Sequence, residues 1–504
     1  LLERLPERRQ HVSFGAANTR RRAHQHCAGC MCCFLSTDVQ DPAGLFPISR
    51  GQMKKTLPAD RSMLKVSMAL LIALFFGLMM GVSDGIGAPP NSAVRADGDS
   101  LRICTVVVAG NEKTQEAVIL REMRSQVGQI YDSRLVLADQ KRIENLLLFN
   151  RVEIMPIPTD EGMSLLVLVV ERLYFFPAPV LFANEHDVEK LSYGLALIHQ
   201  NLFGRAISLN AAGWGGYNPG GQLQLRHPWI GGSNNLFAQI EVFWKKRETH
   251  ILITDRFDET HRGVVMAMGK RWGHHFYSSV QAGYRTIEFP AEYDRSITGG
   301  DTVEKLPSVG VSLRYDGRDR LTYPKSGFYL EGYGQKIIGN MDVKSIQCGT
   351  DGRIYLPLGA GVSVAMRGAA DFLLGDQPQF LWQSIGFDER VRGRFEQCAA
   401  ADSRLLGSVE LRLPILPIRY ISLPPDDLLA LFAQEMPIGL SAGIFYDGAA
   451  LWQNQSPLQK AEWLDGWGIG LHFHLPYIHL LRFEAAWNSR QGKPEYLLDL
   501  SVWF

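Results

Sequence analysis

The sequence predicts a mainly-β protein: a sixteen-stranded antiparallel transmembrane β-barrel preceded by a small α/β module. Three observations carry this expectation. A secretion signal stands ahead of the folded part, and the longer, C-terminal part alternates apolar and polar residues with period two. No further apolar run is long enough to cross a bilayer as a helix. An exported chain that spans a membrane with strands must close them into a barrel, because lipid offers no partner to an open strand edge. Composition agrees: 52 Lys and Arg against 52 Asp and Glu leave no basic excess for nucleic acid, and 49 Gly with 10% aromatics suit many strands and turns.

The N-terminal part reads as processing sequence. Lys54, Lys55, Arg61 and Lys65 precede an apolar run from Met68 to Val82, and small residues follow from Ser83 to Ala88. Charge, then roughly 15 apolar residues, then small residues is the order of a secretion signal, and the run is short of the ~20 a spanning helix needs. A start at Met53 or Met63 makes 53–88 the signal peptide, leaves 1–52 as an upstream segment and 89–100 as a linker. Cys27, Cys30, Cys32 and Cys33 fall in that upstream segment without the second ligand pair of a zinc site. Cys104, Cys348 and Cys398 are far apart and odd in number, so they form no disulfide framework. Neither a metal nor a cofactor is expected.

Residues 101–175 have mixed periodicity. "RICTVVVAGNEKT" is a strand ending at the turn pair Gly110-Asn111. "TQEAVILREM" brings Ala117, Ile119, Leu120 and Met123 near helical spacing, with Thr114 as N-cap candidate. "DSRLVLADQKRIENLLLF" is a second helix capped at Asp132 or Ser133, and the strands "RVEIMPIP" and "LLVLVVERL" follow. Gly110-Asn111, the run "VGQIYDSRLVLADQKRIENLLLFNRVEI" with its Phe149, and the Val-Val-Glu ending at Glu171 together resemble a POTRA (polypeptide-transport-associated) domain. The resemblance implies a sheet edge offered to extended client segments; the plainer alternative is an inert spacer.

From about 188 to 504 the chain alternates. Leu223 and Leu225 interleave with Gln222, Gln224 and Arg226; Val309, Val311 and Leu313 with Gly310, Ser312 and Arg314; Val409, Leu411 and Leu413 with Ser408, Glu410 and Arg412. The closing "EYLLDLSVWF" sets Tyr496, Leu498, Leu500, Val502 and Phe504 on one side, a terminal-strand signal. About sixteen such runs over roughly 315 residues give the strand density of an outer-membrane barrel, apolar outside and polar within.

Within this part, "YDGRDRLTYPKSGFYLEGYG", with Asp316, Arg318, Asp319, Pro324 and Gly327, resembles the strand–turn–strand motif of the bacterial surface antigen superfamily of outer-membrane protein assembly factors. That superfamily includes the central barrel subunit of the outer-membrane assembly machine and the translocators of two-partner secretion. The resemblance implies sixteen strands behind POTRA domains, with this turn between strands eight and nine. "GFDERVRGRFEQC", Gly386 to Cys398, then falls on the sixth extracellular loop, whose Val-Arg-Gly-aromatic motif folds back into the lumen. Val391, Arg392 and Gly393 match it; Arg394 takes the aromatic place, with Phe395 one residue later. The partner aromatic-x-Asp of strand thirteen is matched by Phe445 and Asp447. Parity with Leu440, Ile444 and Tyr446 turned to lipid aims both into the lumen. The expectation is an Arg392–Asp447 fork that locks the loop, with a charge-reversing swap restoring what either single change loses.

Weaker signals remain. His472 and His474 are expected to face the lumen, and Asp426-Asp427 to start a short amphipathic helix on the periplasmic side. Nothing resembles a catalytic constellation, so no enzyme is expected. The resemblance implies a protein of the bacterial outer membrane, its POTRA domain in the periplasm, that inserts β-barrel clients. The alternatives are a translocator dedicated to one secreted partner and a passive pore. Expected partners are unfolded outer-membrane or secreted clients, outer-membrane lipid and periplasmic accessory proteins.

Overall fold

The computed structural model describes residues 101–499 apart from 184–189, 233–234, 253–254, 291–301, 340–342, 386–388, 395–398, 423–433, 454–460, 477–478 and 491. The upstream segment, signal, linker and helix expected at Asp426-Asp427 lie outside the described residues, as do Phe395 and Phe504.

The first unit runs β1 (Ile103–Ala109), α1 (Glu116–Leu120), α2 (Ser133–Glu144), β2 (Phe149–Thr159) and β3 (Gly162–Glu171), the order expected. Its sheet is ordered β1-β3-β2, with β1 parallel to β3 and β3 antiparallel to β2. Ile119 and Ile143 of the helices bury fully against Leu165 and Val167 of the central strand. Asp132 caps α2 by accepting from the Arg134 amide. Thr114 does not cap α1; the cap position is Gln115, without a side-chain bond. The Thr114 hydroxyl instead meets the Tyr174 hydroxyl at 2.8 Å and accepts from Asn201 Nδ2 at 2.9 Å. A long-range buried contact has taken the side chain that local geometry would use as a cap.

The rest is one sixteen-stranded antiparallel sheet. Its strands are β4 (Phe175–Ala183), β5 (Leu191–Leu202), β6 (Ile207–Gly216), β7 (Gly220–Ile230), β8 (Leu236–Leu252), β9 (Asp255–Trp272), β10 (Phe276–Glu288) and β11 (Val303–Asp316). β12 (Gly327–Ile338), β13 (Lys344–Gly359), β14 (Val362–Gly375), β17 (Ser403–Ile421), β18 (Met436–Trp452), β19 (Glu462–Leu475), β20 (His479–Trp487) and β21 (Glu495–Asp499) follow. The short ladder of β15 (Gln383–Ile385) with β16 (Ala399–Ala401) lies between β14 and β17 in the chain. The sheet opens at Phe175, ahead of residue 188, where alternation becomes legible. β4 carries Pro177 and Pro179 and, among the described residues, stands at one end of the strand order, where prolines are tolerated.

Parity sorts the two faces. Val309, Val311 and Leu313 are more than half exposed, as the wall facing lipid, while Glu410, Arg412, Arg482 and Glu484 are almost wholly buried inside. Away from the first unit, a 3-10 turn (Gln379–Leu381) packs Phe380 and Leu381 against Ile287, Phe289, Leu306, Ile337 and Leu373, covering that end of the interior.

The α/β unit lies across the other end and touches its turns in succession. Gly204, between β5 and β6, accepts from the Gln115 amide, and Arg121 stacks on Trp229 at the end of β7. Arg271, at the end of β9, forks onto Glu122 with both bonds 2.7 Å. Asn145 brackets the β11–β12 turn, donating to the Asp319 carbonyl and accepting from the Leu321 amide. Between β17 and β18, Gln434 and Glu435 meet Asn150 and Arg151, so the expected insertion meets this unit at its C-terminal end.

Candidate functional site in the lumen

The connection between β14 and β17, the eleventh and twelfth strands of the sheet, is the sixth loop of the sequence reading. Arg392 is 4% exposed and grips Asp447 on β18 through Nε to Oδ2 at 2.7 Å and Nη2 to Oδ1 at 2.8 Å. Its own amide donates to Oδ2 at 3.2 Å, and Ser408 donates to Oδ1. Nη1 reaches Glu410 on β17 at 2.8 Å and Glu484 on β20 at 2.9 Å. The guanidinium also lies 3.5 Å above the Phe445 ring. One cation therefore holds three strands, using a planar fork that lysine does not have.

The backbone is shaped for this approach. Gly393 has φ +90°, and a Cβ there would stand 2.7 Å from the Trp487 carbonyl. A Cβ on Gly466 of β19 would stand 1.8 Å from the Arg392 carbonyl, so the loop presses on the wall where the wall has no side chain. Val391 buries with Ala449 and Leu464 beneath it.

Each remaining charge among the loop's described residues has its own strand. Glu389 accepts a fork from Arg367 on β14, which also holds Asp351 on β13. Arg390 bonds Asp499 on β21. Arg394, which stands where the motif calls for an aromatic, is 2% exposed and donates to the Asp465 carbonyl at 2.8 Å and to the Asp465 carboxylate. An ion pair replaces a ring contact at that position.

The strand–turn–strand motif joins the same network from the other end. Arg318 forks onto Asp316 with bonds of 2.9 and 2.7 Å, and Asp319 accepts from the Lys325 and Ser326 amides. Gly327 has φ +102°, where a Cβ would meet the Gly317 carbonyl at 2.2 Å. Tyr323 and Pro324 reach inward: the Tyr323 hydroxyl meets His472 Nδ1 at 3.0 Å, and the Pro324 carbonyl accepts from Arg412, which bonds Glu410. The motifs quoted separately from the sequence thus meet at Glu410. Sequence reading missed the convergence of Glu410, Glu484 and Arg482 on Arg392. Inward parity was the available signal, but parity does not give height along the barrel.

Elsewhere, Gly110 (φ +87°) sits 2.0 Å, by its would-be Cβ, from the Val169 carbonyl, and Asn111 Nδ2 donates to the Thr114 carbonyl. Glu171 accepts from the Lys113 and Thr114 amides, and Phe149 buries in the core of that unit. These four residues build one corner of the unit and stand apart from the lumen. Tyr496 faces outward and stacks on Phe483. His472 and His474 face inward, as expected. Among the described residues, Glu410, His472 and Glu484 place ligand atoms within 4.8 Å of one another, the spacing of a metal set. Arg392, Arg412 and Arg482 already neutralise the two carboxylates, so a divalent cation would face three guanidiniums.

The Omp85 superfamily domain matches residues 201–499, more than half the chain and all of the site. The chain belongs to the Omp85 superfamily. A POTRA domain, described as a surface antigen variable number repeat, matches residues 102–172. Similar solved structures include BamA from Haemophilus ducreyi lacking POTRA domains 1–3, at 16% identity over 80% of this chain and 84% of that one, TM-score 0.47. CdiB from Acinetobacter baumannii is 14% identical over 77% and 70%, TM-score 0.46. CdiB from Escherichia coli is 11% identical over 90% and 98%, TM-score 0.46. No curated protein matches the chain. As an Omp85 barrel the protein resides in the outer membrane with its POTRA domain in the periplasm, and its general role is protein insertion or translocation there.

Proposed function

We propose that this Omp85 protein is an assembly factor that inserts β-barrel clients from the periplasmic side, and that Arg392 with Asp447 holds loop 6 in the lumen while it does so. The carrying observation is the occupied interior: one buried guanidinium spans Asp447, Glu410 and Glu484, so the loop fills the space through which a passive pore conducts. The POTRA domain supports the reading from below, since it crosses the periplasmic end and meets five of the strand turns or strand ends. Clients would pair with a strand edge, of the POTRA sheet or of the seam at β4 and β21, the two ends of the strand order. Hydrogen-bond exchange and burial of the apolar face in lipid drive such insertion without a nucleotide. Clients are unfolded outer-membrane proteins, with periplasmic accessory proteins and outer-membrane lipid as partners.

The test is depletion of the protein, followed by quantitation of every outer-membrane barrel and of the secreted fraction. A broad fall in barrels supports assembly. Loss of one exported protein with barrels unchanged overturns it in favour of a dedicated translocator.

A further inference from the structure

The lock uses Arg392, but a neighbouring residue of the loop reaches the last strand of the barrel. Arg390 bonds Asp499, which is 3% exposed and ends the described part of β21. Arg482 stands directly opposite Asp499 in the β20–β21 ladder, with Nη2 3.7 Å from the same carboxylate. Arg482 also lies 3.6 Å from Glu410 and 3.7 Å from Glu484, the two glutamates that hold Arg392. Asp499 is therefore tied to the loop twice, directly by Arg390 and through Arg482. An apolar contact runs beside the polar one: Phe445, beneath the Arg392 guanidinium, buries with Ala486 and with Leu497 of β21.

The last strand has reason to need such ties. Its described ladder with β20 runs from Arg482–Asp499 to Ala486–Glu495. It also stands at the end of the strand order. A strand at the end of a sheet is held by side chains as well as by its ladder.

We propose that Arg390 and Asp499 are positioning residues for the last strand: seating loop 6 holds β21 in its register against β20, and unseating it loosens β21. This rests on the proposed role of loop 6 in client insertion, and deepens it by naming what the loop controls. A carboxylate buried between two guanidiniums is held by charge-assisted bonds, and losing one donor leaves it less well satisfied.

The experiment is hydrogen exchange by mass spectrometry on the full-length protein in lipid nanodiscs. Arg390→Ala should speed exchange across Glu495–Asp499 roughly tenfold or more while β18 stays protected, since a charged hydrogen bond gates the local opening. Asp499→Asn, which also loses the Arg482 contact, should speed exchange at least as much, and the double variant no more than Asp499→Asn alone. Native-like exchange at 495–499 in Arg390→Ala overturns the proposal, and so do single effects that multiply in the double variant. Should Arg390→Ala fail to fold, Arg390→Lys keeps the charge without the fork, and an intermediate rise confined to β21 is expected. The two readings fail separately: a speeding of β21 in a strain whose barrel content is unaffected by depletion would sink the assembly role and leave the positioning role standing.

Discussion

Arg392 shows why a loop in a barrel carries charge: a guanidinium buried as this one is must replace with carboxylates the water it lost. Its three carboxylate partners change what a substitution should do. Arg392→Ala strands Asp447 and takes one of several cations from Glu410 and Glu484, and breaking a buried pair costs about 3–5 kcal/mol. Arg392→Lys should recover part of that cost, because a point charge cannot fork onto Asp447 while reaching Glu410 and Glu484. The charge-reversing swap expected from the sequence should fail to restore folding, since an aspartate at 392 would face Glu410 and Glu484. Urea midpoints of the folded, heat-modifiable form check all three; full rescue by the swap would mean that the glutamate contacts contribute nothing. Gly466→Ala tests the same seat from the wall, where a methyl group would stand 1.8 Å from the Arg392 carbonyl. Loop 6 should lose protease protection in that variant while Gly492→Ala, with open space around it, leaves it unchanged.

At the scale of elements, the POTRA domain is held to the barrel by contacts that respond to pH. Burial pushes the Glu122 carboxyl up, but the Arg271 fork outweighs it and holds the group below its usual 4.5. Its contribution to docking is present above that value and is lost as pH falls through the lowered one. His274, in the neighbouring β9–β10 turn, is pushed down from 6.5 to about 4 by burial and by Arg271. A depressed histidine has the same sign: docking is favoured above pH 6.5 and weakens as pH falls towards 4. Distance measurements between spin labels on α2 and the β11–β12 turn should therefore broaden over pH 6.5 to 4, and Glu122→Gln should broaden them already at pH 7. An unchanged distribution at pH 4.5 would mean that the other turns carry the docking. Elements were also what the sequence revealed best. The βααββ order and the inward aim of Asp447 follow from period and parity, and the place of the Asp316–Gly327 turn between strands eight and nine from the superfamily resemblance. What parity hides is height and neighbour, which is why Asp465, Glu484 and Arg482 went unread as loop partners. Thr114 misled for the opposite reason: its local capping signal was sound, but Tyr174 and Asn201, distant in sequence, offered it a buried site.

For the whole molecule, the decisive property is whether the interior conducts. Sixteen strands enclose enough space for an aqueous channel, so an empty barrel of this size would pass ions steadily. Here three parts stand in the way. The Phe380–Leu381 turn packs on the apolar upper wall, Arg392 and its carboxylates cross the middle, and the POTRA domain spans the periplasmic turns. The middle part is the one that a single substitution removes, and it ties to strands on several sides of the lumen. Purified full-length protein in planar bilayers should give small, short openings. Arg392→Ala should lengthen them and raise the open-channel current several-fold, because the loop would lose the cation that joins β17, β18 and β20. Glu122→Gln, which loosens only the periplasmic end, should change gating frequency far more than current. Large steady currents from the native protein would show that the loop leaves the lumen in a membrane, and the barrel would then have to be read as a pore whose seated loop is a closed state.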